Sequence, residues 1–198
     1  MAEADLRRRR RGEIVAAARQ LVANGGIEAL TFGALERQLD FTRGVITYHF
    51  RNKQDIVAAV LESAITEIDA ATDARIHDAE HIEAQVRAVL ETKVRGFLEH
   101  PEATRILLSF WAKAAHDPLA SVVNRKLFRT YRKQTRPLLE HSRCDADAFA
   151  VLWVGTVIGI VTQAVIDPER VPIQRCIEEA SELLAGRLIG STTRVLHA

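Results

Sequence analysis

Between Thr31 and Val60 the chain reads TFGALERQLDFTRGVITYHFRNKQDIVAAV, and the polar residues in it suit contact with a nucleic acid. Arg43 carries a planar fork of donors that can pair bidentately with guanine O6 and N7, and Gly44 beside it lets the backbone approach a duplex closely. Thr47 can reach a base or a phosphate. Thr31, Tyr48, His49 and Lys53 carry groups suited to phosphate oxygens, contacts that set register without reading sequence. Helix starts at Thr31 and Lys53 would add backbone N–H groups aimed at anions.

These residues need short, firmly placed helices. Ile14, Ala18, Leu21 and Val22 recur at helical spacing and predict a first helix that stops at Asn24-Gly25-Gly26. Thr31 is a good N-cap for a second helix carrying Phe32, Leu35 and Leu39. Asp40-Phe41 makes the turn, and Thr42 caps a third helix whose Ile46 and Phe50 face inward. The layout is that of a helix-turn-helix reader, one helix supporting and the next entering the major groove. A fourth helix is expected from about Lys53 toward Asp78, and a fifth from Ile82 to Leu98. Pro101 and Pro118 suit the first turns of a sixth and a seventh, the latter bending or ending near Pro137. Asp145 caps an eighth, and Ile173, Ile177, Leu183, Leu184 and Leu188 mark a ninth. Nothing alternates at period two for long, so the expectation is all-α.

The run Thr31, Leu35, Leu39, Phe41-Thr42, Gly44, Ile46, His49-Phe50, Lys53 resembles the signature of TetR-family transcriptional regulators. The family usually has Ala-Gly where this chain has Leu39-Asp40, and often Tyr where it has Thr47. Aspartate tolerates turn conformations, so the turn should survive. The resemblance implies a nine-helix fold: a DNA-binding three-helix head over residues 1–52, with an arm at 1–11, and a ligand-binding and dimerisation body over 53–198. It places recognition on Thr42, Arg43, Gly44, Val45, Thr47, Tyr48 and His49. The stretch Leu108-Ser109-Phe110-Trp111 with His116-Asp117-Pro118 is similar to the body of the choline-responsive (BetI-like) repressors of glycine-betaine synthesis.

Arg7 to Arg11 form a five-arginine run. Two readings stand side by side: an arm touching the DNA backbone or minor groove, or a solvated tail. Ala148 to Ile166 holds no charged residue over 19 positions. Two glycines, two threonines, a glutamine and flanking aspartates argue for a buried helix rather than a membrane span. Gly155 and Gly159 sit four apart there, a spacing that lets helices approach closely. A two-fold interface involving Trp153, Gly155, Gly159, Gln163, Ile177 and Leu184 would cover the helix, and would set two recognition helices about 34 Å apart to match one turn of DNA. The bland alternative is the core helix of a monomer.

Most of the aromatic residues lie in the body. Phe97, Leu107, Phe110, Trp111, Phe128, Tyr131 and Trp153 could line a small-molecule pocket. Trp111, Tyr131 and Trp153 could box a quaternary ammonium by cation–π attraction, with Glu140, Asp145 or Asp147 as a carboxylate. Each is equally at home as a core aromatic. His77 and His81 stand four apart but read as exposed residues, so no metal and no cofactor is expected.

Composition agrees with a soluble protein, 47% apolar and 27% charged over 198 residues. Residues 1–56 hold 10 Lys/Arg against 7 Asp/Glu, net +3, which leaves −2 for the rest of a chain whose net charge is +1. Two distant cysteines, Cys144 and Cys176, fit a reduced cytoplasmic setting. No Ser-His-Asp order, Gly-rich phosphate loop or catalytic carboxylate pair appears, so enzyme chemistry is not expected. The expected function is a homodimeric, sequence-specific repressor on palindromic double-stranded operator DNA, controlled by a small-molecule effector in the body. The alternative is a DNA-bound structural or partner-binding protein of the same fold without an effector.

Overall fold

In a computed structural model the described residues are 2–73, 81–139, 142 and 144–193, with side chains described for all of these except 2, 72, 73, 118, 119, 123 and 190–193. Among them are nine α-helices and no strand: α1 (Ala2–Ala29), α2 (Phe32–Leu39), α3 (Arg43–His49), α4 (Lys53–Asp73), α5 (Ile82–Leu98), α6 (Pro101–Ala114), α7 (Pro118–Lys133), α8 (Ala146–Ile166) and α9 (Ile173–Thr193), with a 3-10 turn at Arg136–Leu139. The all-α reading and the helix order agree with the sequence. Pro101 opens α6 at its first turn. Asp145 caps α8 by accepting from the backbone N–H groups of Asp147 and Ala148, both at 3.0 Å. Asp78, the expected end of α4, lies outside the described residues, as do His77 and Glu140.

The chain forms two compact units, residues 1–70 with 100–121, and residues 71–99 with 122–198. The division expected from chain order, at 52/53, differs because α6 returns to pack on α1. In the first unit Ile14, Ala18, Val22, Leu30, Leu35, Ile46, Phe50, Ile56 and Val60 are buried. Each such aliphatic or aromatic side chain contributes about 1.5–3 kcal/mol on burial. α1 breaks at Gly26, where φ is 71° and ψ is −178°, a conformation reserved for glycine. That glycine explains why the stop signal was readable.

α1 also starts earlier than expected. Arg7–Arg11 is helical, not an arm ahead of the helix. Arginine, alanine and leucine are good helix formers, and Glu3 and Asp5 in the first turn meet the positive end of the helix dipole. Arg9 and Glu13 add a pair one turn apart at 3.1 Å.

A polar cluster joins α1, α4 and α6. Arg19, its side chain 12% exposed, reaches Glu67 on α4 at 2.6 Å and Glu102 on α6 at 2.7 Å. It also donates to the Ser63 hydroxyl at 2.8 Å. His100 Nδ1–H donates to the other oxygen of Glu67 at 2.8 Å. Burial acts against the Arg19 charge, but the hydrogen bonds from its two carboxylates win and raise its pKa. Burial likewise acts against the Glu67 carboxylate, yet hydrogen bonds from His100 and Arg19 hold its pKa below the usual range.

In the second unit α5, α8, α9 and the 3-10 turn pack together. Val86, Leu90, Val94 and Phe97 of α5 face Trp153, Val157 and Val161 of α8 and Ile177, Leu184 and Leu188 of α9 in one core. α8 is long and apolar enough to cross a membrane by length and composition. One of its sides, from Phe149 through Ala164, is buried against protein.

Candidate nucleic-acid interface

The turn before the third helix is set by Asp40, whose φ of 53° and ψ of 32° close α2 in the left-handed region. Aspartate tolerates that region because its short side chain is compatible with it. Thr31 caps α2 as expected, its hydroxyl oxygen accepting from Ala34 N–H at 3.0 Å, which leaves its O–H free to donate outward. Thr42 occupies the cap position of α3 in extended conformation but makes no side-chain cap bond, contrary to expectation. Its hydroxyl is instead free at the surface. Asn52 caps α4, accepting from Asp55 N–H at 2.9 Å.

α3 is anchored by one fully buried residue, Ile46, and by Phe50 just beyond it. Every other predicted contact residue on α3 is exposed or half-buried: Thr42, Arg43, Gly44, Thr47 and Tyr48 are exposed, Val45 and His49 half-buried. Tyr48 is 66% exposed, far too open for an aromatic ring whose only role is packing. A Cβ built at Gly44 would meet nothing closer than Thr42 Oγ1 at 3.8 Å, so the protein itself does not require glycine there. Thr47 donates its hydroxyl back to the Arg43 carbonyl at 3.0 Å. It therefore offers outward a methyl group and oxygen lone pairs rather than a donor. Arg43 lies with its guanidinium 4.9 Å from the centre of the Phe32 ring. Stacking uses the face of the group and leaves its in-plane N–H donors available.

The arginine run lies beside this face, on a side the sequence did not indicate. Arg7 sits 5.3 Å over the Tyr48 ring, Arg10 4.8 Å over Phe41 and Arg11 4.7 Å over Phe50. Spacing of three and four residues puts them on one side of a helix, a signal visible only once the run is known to be helical. Between them and α3 opens a cleft of about 1130 Å³. Tyr48 and His49 meet edge to face, their ring centres 5.1 Å apart. Burial, then the charges of Arg7, Arg10 and Arg11, push the His49 pKa below its ordinary value.

Lys53 opens α4 as expected, but its ammonium is 3.9 Å from Glu28. Glu28 also takes a hydrogen bond from Lys113 on α6, and that bond, with both lysine charges, lowers its pKa. Neither partner was predicted, because the contacts join residues far apart in sequence.

Two sequence-family profiles match the chain. Residues 14–60 match the one described as bacterial regulatory proteins, tetR family. Residues 82–188 match the one described as BetI-type transcriptional repressor, C-terminal. The chain belongs to the TetR family. It is thus a transcriptional repressor of the helix-turn-helix class with a BetI-type C-terminal region, and not an enzyme. It is 27% identical to the transcriptional regulator BetI of Cronobacter sakazakii over 154 residues, 74% of this chain and 76% of that one. With BetI of Stenotrophomonas maltophilia it shares 24% over 162 residues, 76% and 83% of the two chains. Among solved structures it resembles a TetR regulator from Chloroflexus aurantiacus, with TM-score 0.79 at 18% identity over 93% of this chain and 98% of that one. It also resembles a transcriptional regulator from Saccharomonospora viridis in complex with choline, with TM-score 0.68 at 18% identity over 93% and 96%.

The residues predicted for the other two sites are placed less simply. Of the seven pocket candidates, Leu107, Phe110 and Trp111 belong to the first unit, and Phe97, Phe128, Tyr131 and Trp153 to the second. Trp153 lies 6.1 Å from Phe149, with the rings tilted by 31°. Asp145 is committed to capping α8. Of the six interface candidates, Trp153, Ile177 and Leu184 are turned into the core of their own chain, so their side chains face no partner. Gly155, Gly159 and Gln163 are on the outer side of α8, where Gly155 and Gln163 are exposed and Gly159 half-buried. A Cβ at Gly155, Gly159 or Gly186 would meet nothing within 4 Å. Beside them Val151, Leu152 and Ile166 on α8 and Leu183 on α9 are 56–76% exposed. The helical period locates the stripe but not which side of so uniformly apolar a helix turns inward.

Proposed function

We propose that this TetR-family protein is a homodimeric repressor that binds a palindromic operator through α3 and leaves it, or closes on it, when a small molecule binds the C-terminal region. The observation that carries the reading is the exposed face of α3, with Arg43, Gly44, Thr47 and Tyr48 turned outward on a helix anchored by Ile46 alone. Arg43 reads a guanine edge, Val45 and Thr47 offer apolar contact to thymine methyl groups, and Thr31, Thr42, Tyr48, His49 and Lys53 hold phosphates. Lys53 exchanges Glu28 for a phosphate oxygen on binding. Such a protein acts in the cytoplasm, where the operator is.

Pairing through the outer side of α8 and α9 is supported by the open apolar stripe around Gly155 and Gly159, larger than single chains ordinarily leave in water. The effector reading is supported by the aromatic content of the body and by the choline held in the Saccharomonospora viridis neighbour. A cation of that class, held by Tyr131 and the tryptophans, is the first effector to test. An effector acts only through a difference in affinity between the DNA-bound and free forms. Fluorescence anisotropy with selected operator duplexes, with and without choline and a metabolite panel, tests both halves. Equal binding by wild type and Arg43→Ala would remove the DNA assignment. A flat response to every metabolite, in both binding and melting temperature, would favour an effector-free protein.

A further inference from the structure

The N-terminal turns of α1 are not needed to close the head: Glu3 through Arg9 are exposed, and the buried residues of α1 begin at Ile14. Those turns nevertheless carry five consecutive arginines, and three guanidiniums lie flat on rings of the reading head, at Phe41, Tyr48 and Phe50. Flat stacking fixes the side chains while leaving their edge donors in plane, the arrangement a phosphate requires. Arg8 completes the lining of the cleft that this helix forms with Thr42, Gly44, Val45 and Tyr48. The cleft is open and elongated, larger than the ordinary range for a small-molecule site of about 300–1,000 Å³.

We infer that this cleft is a second DNA site, a groove in which Arg7, Arg8, Arg10 and Arg11 hold the phosphodiester backbone alongside the stretch read by α3. The inference rests on the operator-binding reading and extends it from one helix to two. From Arg7 to Arg11 the helix advances about 6 Å, at 1.5 Å per residue. One DNA strand presents a phosphate about every 3.4 Å along the axis, so the row spans roughly two phosphates. Glu3, at the rim of the same cleft, opposes them. The helical form matters because a disordered tail would lose ordering entropy on binding, whereas here the aromatic rings have already positioned three of the four arginines.

The test is the salt dependence of full-length protein on two duplexes, a selected operator and a scrambled sequence of equal length. Arg8→Ala/Arg11→Ala is expected to reduce the slope of log K against log salt by about 1.8, at roughly 0.9 per phosphate, on both duplexes. The ratio of operator to scrambled affinity stays unchanged. Arg43→Ala is expected to do the reverse, collapsing the ratio with little change in slope. An unchanged slope in the double variant, with folding verified by circular dichroism, overturns the inference. Should the double variant melt early, Glu3→Gln decides: tighter binding to both duplexes supports the groove, and no change overturns it. Inorganic phosphate at constant ionic strength separates the sources of the anion. Protection of wild type by phosphate with no change in DNA slope assigns the cleft to a small anion and overturns the DNA site. If Arg43→Ala leaves the ratio intact while the double variant lowers the slope, the reading of α3 fails and the groove stands.

Discussion

Gly44 separates the needs of the fold from those of binding. Its neighbours leave room for a methyl group, so Gly44→Ala should raise helix stability by about 0.5–1 kcal/mol. Placed between α3 and a base edge, the same methyl should weaken operator binding by roughly tenfold or more, the scale of one lost contact. Thermal melts and anisotropy on one preparation check both signs, and a variant that is more stable and binds equally well would contradict the assignment. His49 gives a second test. Burial and three arginine charges keep it neutral to lower pH than an ordinary histidine, whose reference is 6.5. Approaching phosphates favour the charged form, so binding takes up a proton and affinity should rise as pH falls through 6.5 toward the lowered value of the free protein. The slope reaches at most about tenfold per pH unit for one proton, and His49→Gln should flatten it.

Among the helices, the Arg19 cluster links α1, α4 and α6. Arg19→Ala leaves Glu67 and Glu102 facing each other without their cation. A loss of about 2 kcal/mol is expected in chemical denaturation, the low end for a broken pair because both carboxylates keep a third or more of their exposure. The folded Glu67 pKa is depressed, so its contribution is present above the reference value of 4.5 and disappears as pH falls through the lowered folded value. Glu67→Gln should therefore weaken the neutral-pH protein and reduce the acid dependence of its melting temperature. None of this cluster was legible in the sequence, since residues 19, 67, 100 and 102 meet only through tertiary packing. The helices themselves were, because caps and breakers such as Thr31, Asp145, Pro101 and Gly26 act locally. The reading face of α3 was legible for the same reason: seven residues between two fixed ends leave little freedom about which side is out. The arginine helix was misread as an arm because its helicity depends on partners, Tyr48 and Phe41, beyond its own segment. The pocket residues stayed ambiguous because an aromatic side chain looks alike in sequence whether it fills a core or lines a cavity.

At the level of the assembled protein, the outer side of α8 and α9 decides the number of copies. Leu152→Arg places a charge in the middle of the apolar stripe and leaves the chain's own core untouched, since Leu152 is 58% exposed. Sedimentation should then report a single copy where wild type gives two, and affinity for a full palindrome should fall toward that for half of it. A two-copy Leu152→Arg protein would place the contact elsewhere. The stripe also has a temporal consequence. Both helices that carry it follow every helix of the DNA-facing unit, whose last residue is Ser121. Synthesis at about 5–20 residues per second therefore lets the reading head emerge and fold before any adhesive surface leaves the ribosome. Nascent copies thus gain a completed head first and the means of finding one another last, which shortens the interval in which a half-made chain can aggregate.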